Sequence, residues 1–176
     1  MFSKEAIVVL MMLSLTSWAA AATIVTADVD SAIQKLFGVH CLMGVLNQLN
    51  ESVGDFGYST QLCGDTVKNS IFAVTADNTD LTNTIALIQD INKSTCQNSA
   101  YKDDDAKRTP TFTCSDRIKT MMTRLNSNIV QTIRDIKSLT NIKPCGMLAL
   151  TSYQSALENV GTYVKTCGDL TKAITN

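Results

Sequence analysis

The stretch 116-DRIKTMMTRLNSNIVQTIRDIKSL-139 carries apolar side chains at Ile118, Met121, Met122, Leu125, Ile129, Ile133, Ile136 and Leu139. Steps of three and four place them along one side of an α-helix, since each residue turns the chain by about 100°. The other side is polar and basic, with Arg117, Lys119, Arg124, Arg134 and Lys137. Such a stripe is stable only when buried against other elements, so the rest of the chain has to supply partners. Pro144 stops the pattern.

The same period continues on either side. A last helix, from about Cys145, carries Met147, Leu148, Leu150, Tyr153, Leu157, Val160, Tyr163, Val164, Leu170 and Ile174. Upstream, helical spacing runs through Leu62, Val67, Ile71 and Phe72, then Leu81, Ile85, Ile88 and Ile91. A first helix opens at Asp28 or Asp30, either able to cap its free amides. It buries Ile33, Leu36, Phe37, Leu42, Val45, Leu46 and Leu49. Gly54 and Gly57, flanking Phe56, predict a break or bend there. Residues 97–113 are polar and aperiodic, with Asp103-Asp104-Asp105, Lys107-Arg108 and Pro110, and read as one long loop. The expected fold is all-α: an antiparallel bundle of about four helices, stapled by disulfides, with a single long loop near residues 97–113.

The staples come from Cys41, Cys63, Cys96, Cys114, Cys145 and Cys167. The intervals Cys41–Cys63 and Cys145–Cys167 are both 22 residues. On a helix that is about 33 Å and close to whole turns, so both cysteines of an interval share a face. Two antiparallel helices with equal rung spacing can be joined twice, Cys41 to Cys167 and Cys63 to Cys145, with Cys96–Cys114 closing the loop end. Pairing Cys41 with Cys63 is the rival; it requires the first helix to break at Gly54 or Gly57.

Met1 to Leu15 is a weakly charged start and an apolar run, followed by the small-residue tract Thr16 to Ala22. This reads as a secretory signal peptide over 1–22, leaving 23–176 as a single exported helical domain in which thiols oxidise. No later segment has the roughly twenty apolar residues of a membrane span. Asn50-Glu51-Ser52 and Asn92-Lys93-Ser94 are sequons; glycans on Asn50 and Asn92 would require both to lie on exposed surface.

Chemistry-bearing constellations are few. His40 is the only histidine, and its neighbour Cys41 is expected to be oxidised, which removes the thiolate a Cys–His pair would need. There is no close Cys-x-x-Cys pair and no phosphate-cradling glycine loop, so neither a metal nor another cofactor is expected. The run Asp103-Asp104-Asp105 lacks the spaced oxygens of a calcium loop and reads as a solvated acid run. Lys107-Arg108 is a candidate protease nick. From Thr23 to Thr95 there are eight acidic and three basic residues; from Asp116 to Lys143, six basic and two acidic. That contrast favours an acidic arm lying against a basic helix. With an overall charge of −1 and few aromatics, nucleic acid is not an expected partner.

Cys41, Tyr58 and Cys63, and more loosely Cys96 through Cys167, resemble the TsetseEP-domain family of secreted insect proteins over most of the mature chain. The resemblance implies an extracellular insect protein of a gut, salivary or reproductive secretion, and it transfers no catalytic residue. Insect odorant-binding proteins also have six cysteines, but their second and third are only a few residues apart, unlike Cys63 and Cys96. The expected function is therefore non-enzymatic: a secreted helical glycoprotein that binds an extracellular protein or glycan partner, or is structural in a secretion or lumen. The alternative is a carrier of small hydrophobic ligands held between its helices.

Overall fold

The computed structural model describes residues 23–98 and 101–175; the expected signal peptide lies outside the described residues. Six α-helices and one 3-10 turn make up the described chain: α1 (Thr26–Ala32), α2 (Leu36–Leu62), α3 (Asp65–Ser70), α4 (Phe72–Ser94), the turn Asp103–Asp105, α5 (Phe112–Ser138) and α6 (Pro144–Thr175). The four long helices alternate in direction and form the bundle; α1 and α3 are short caps on it. The fold is all-helical, and no described helix is long and apolar enough to cross a membrane.

Helix α2 pairs along its length with α6, and α4 with α5. Disulfides join Cys41 to Cys167, Cys63 to Cys145 and Cys96 to Cys114, with Cα separations of 5.6, 5.7 and 5.0 Å. The first two are rungs near the two ends of the α2–α6 pair. The third holds the end of α4 to the start of α5. The Cys41–Cys63 alternative is excluded by the backbone, because α2 does not break: it runs unbroken through Gly54 and Gly57. The expected break there is corrected. Phe56 and Thr60 stay buried on the inner side, and the gain from continuing that burial outweighs the glycines' poor helix propensity.

A Cβ added at Gly54 or Gly57 would meet no atom within 4 Å. Neither glycine serves packing, so each is a loss to the helix. We expect Gly54→Ala and Gly57→Ala each to raise stability by about 0.5–1 kcal/mol, read as a higher denaturation midpoint in urea.

The interruptions fall elsewhere. The N-terminal segment is two helices: α1 starts from Val25 without a side-chain cap, and Asp28 sits in its first turn rather than ahead of it. The chain turns at Ile33–Lys35, and Leu36 N–H then donates to Arg108 O at 2.9 Å. Gly64, at φ +85°, ends α2 and turns the chain into α3. At the other loop boundary, Thr111 caps α5 by accepting from Cys114 N–H at 3.2 Å.

In the core, Phe56 of α2 stacks on Tyr153 of α6 with ring centroids 4.5 Å apart. Along the same core Leu46, Leu81, Ile85, Ile118, Leu125 and Ile129 are fully buried. Several apolar residues on the expected stripes face solvent instead: Leu62 and Phe72 are 70% and 74% exposed, and Leu148 is 75% exposed. They stand near the Cys63–Cys145 end, where all four long helices end or begin and leave little to pack against.

Candidate functional site

Few of the polar groups singled out in the sequence meet one another. His40 is exposed on α2, and its ring stacks on Tyr101 at 4.3 Å. Cys41 carries no thiol, being joined to Cys167. Asp105 pairs with Arg108 at 3.1 Å on the surface, and among the described residues no group of three or more His, Cys, Asp or Glu side chains could hold a metal ion. Lys107-Arg108 lies in a tethered part of the loop, since the carbonyls of Ala106 and Arg108 accept from the first amides of α2. This loop closes the helix start that has no side-chain cap of its own.

The basic helix α5 finds its partners one at a time. Lys119 reaches Asp30 of α1 at 2.7 Å, and Lys137 reaches Glu158 of α6 at 3.7 Å. Arg117 Nη1 donates to Thr95 Oγ1 at 3.0 Å, and Arg134 donates to Gln131 on its own helix. The acidic arm contributes two of these partners, Asp30 and Thr95, and only the first carries a charge. These exposed contacts are individually weak.

The two sequons separate. Asn50 is exposed on α2. Asn92 is 7% exposed, on the inner face of α4, and its Oδ1 is buried without a hydrogen-bond partner. The expectation that both sequons lie on exposed surface is corrected for Asn92. Its helical phase with Ile85 and Ile88 turns it inward.

The sequence reading missed a polar cluster inside the bundle. Tyr153 donates to Asn78 Oδ1 of α4 at 2.6 Å, and burial, then the charge of Asp77, raises the tyrosine's pKa. Asp77 is half-buried, and its Oδ2 has no donor facing it. Its pKa is pushed up to about 6, first by burial, then by a carboxyl–carboxyl hydrogen bond to Asp135 of α5 and by the charges of Asp135 and Asp80. Asp135 itself accepts from Gln131 Nε2 with both oxygens at 3.1 Å. A protonated Asp77 donates to Asp135, whereas an ionised one faces a like charge.

Folding raises this carboxyl's affinity for its proton, so its contribution to stability is full below its ordinary value of 3.8 and is lost as pH rises through about 6. Asp77→Asn should match the parent at pH 3.5 and exceed it at pH 8 by about 1 kcal/mol, once solvent screening is allowed for. Urea denaturation at the two pH values measures the difference; equal stabilities at pH 8 would contradict the carboxyl pair.

An open groove of about 360 Å³ lies between α4 and α5. It is lined by Leu87, Asp90 and Ile91 of α4 and by Asp116, Arg117, Thr120 and Met121 of α5. The volume lies within the ordinary range for small-molecule sites. Two smaller hollows, about 100 and 200 Å³, follow the α2–α6 seam and share Ser52 and Ala156. Each of these is a surface groove, because the interior is filled by side chains such as Tyr153, Leu46 and Leu125. The chain matches no protein-family model, no curated protein and no solved structure.

Proposed function

We propose that the protein is exported, loses residues 1–22, and acts without catalysis through its outer surface, as a binding or structural component of an extracellular secretion or lumen. The observation that carries this is the covalent frame: three disulfides hold both ends of a bundle whose core is filled. Oxidised staples suit an extracellular setting and resist proteases. A filled interior leaves the exterior to meet an extracellular protein or glycan. The resemblance to TsetseEP-domain proteins supports an insect secretion as that setting.

Expression in insect cells tests the reading. The expected product begins at Thr23 and bears a glycan on Asn50 and none on the buried Asn92. It should bind immobilised glycans or proteins of such a secretion saturably, and His40→Ala should leave that binding intact. Retention inside the cell, or a turnover activity lost in His40→Ala, would overturn the proposal.

The α4–α5 groove favours a second reading, a carrier of small hydrophobic ligands. Its floor is apolar, with Ile91 8% exposed and Leu87 of the rim 47% exposed. Displacement of a fluorescent fatty probe from the oxidised protein measures this. A probe that never binds retires the carrier.

A further inference from the structure

Resting on the carrier reading, we propose that the α4–α5 groove takes a small amphipathic cation, an alkyl chain ending in an ammonium group. The apolar part has a defined bed. Ile91 of α4 and Met121 of α5 both line it, and Leu87 leaves nearly half its surface in solvent. A thioether such as Met121 adapts to chains of different shape. About 360 Å³ accommodates roughly sixteen non-hydrogen atoms, the size of a dodecyl chain with its head group. The Cys96–Cys114 bond ties α4 to α5 at the adjoining end, so the groove exists before any ligand enters and little ordering is required on binding.

The rim decides the sign of the head group. Asp90 comes from α4 and Asp116 from α5, and the ion pairs of the described residues involve neither. The third charged group, Arg117, is engaged: its Nη1 donates to Thr95 Oγ1, the C-cap of α4. There a cation also offsets the negative end of the helix dipole. Arg117 thus directs its Nη1 to the α4 terminus, while two carboxylates on opposite walls form no ion pair above an apolar floor. A cation is attracted by both; a carboxylate head would meet them as like charges.

Calorimetric titration of the oxidised protein at pH 7 and low salt, below micelle formation, tests this with two probes of equal chain length, dodecyltrimethylammonium and dodecanoate. The expected result is one saturable site for the cation, about tenfold tighter than for dodecanoate. Thr120→Trp, an uncharged filling of the rim at an exposed position, should abolish it. The double variant Asp90→Asn with Asp116→Asn should remove the preference and leave the helical circular dichroism unchanged. If dodecanoate binds as tightly as the cation or tighter, and Thr120→Trp blocks it, the head-group assignment is wrong while the carrier reading survives. If neither probe shows binding sensitive to Thr120→Trp or to Leu87→Trp, both are overturned.

Discussion

Replacing Cys41 and Cys167 together by serine should lower the melting temperature by about 10 °C, the largest effect we expect of any change that leaves the core side chains in place. The bond spans 126 residues of sequence. In the intact protein, however, Cys63–Cys145 lies inside that span and already closes its inner 82 residues. What the outer bond restrains in the unfolded chain is therefore the two flanking arms, about 45 residues in all. A loop of that size corresponds to about 4 kcal/mol of lost unfolded-state entropy, and for a chain this long 1 kcal/mol moves the midpoint by about 3 °C. Cys96–Cys114 closes only 18 residues, and its removal should cost about 3 kcal/mol. Thermal melts of the two double-serine variants beside the parent read both effects. An unchanged midpoint in the Cys41–Cys167 variant would mean that the staple constrains nothing beyond what packing already holds.

Gly38→Ala should be nearly as damaging, for a reason confined to the folded state. Gly38 lies in the first turn of α2, where the chain has just come round from α1. A Cβ there would run into the carbonyl of Ala32 and the hydroxyl of Thr171, the latter buried on α6. The carbonyl is backbone and cannot swing aside, so α1 must move away from α2. Gly168 guards the same corner from the other side, its added Cβ falling 2.8 Å from Asp28 O. We expect Gly38→Ala to lose about 3 kcal/mol, against the gain at Gly54 and Gly57. Urea denaturation of Gly38→Ala beside Gly54→Ala makes the contrast internal, since both change one glycine of the same helix to alanine. Equal midpoints would show that α1 is not seated against α2 as described.

The helices themselves were legible, since periodicity is a property of consecutive residues. Ile118 through Ile136 marked α5, and the break at Pro144 separated it from α6. The long loop was legible from its composition, although its role in closing the start of α2 was not: Arg108 and Leu36 are distant in sequence. Gly54 and Gly57 suggest a break and lie inside a continuous helix, whereas Gly38, in Phe-Gly-Val, carries no sequence signal and yet permits a helix contact. Composition cannot tell these apart, because the difference lies in what stands opposite. The same holds for Asp77 and Asp135, more than fifty residues apart, and for the groove between Leu87 and Met121.

By itself the sequence determined that the chain is helical, roughly where each long helix runs, and that two equal cysteine intervals could clamp an antiparallel pair. Those follow from bond geometry and from the 3.6-residue turn, which any single segment carries. Tertiary structure alone decided which apolar residues are covered, which sequon is buried, and which carboxylates face each other or a groove. Each of those depends on how far a helix is rotated about its own axis against its neighbours. That rotation is set by the packing of all four long helices at once, and no single segment contains it.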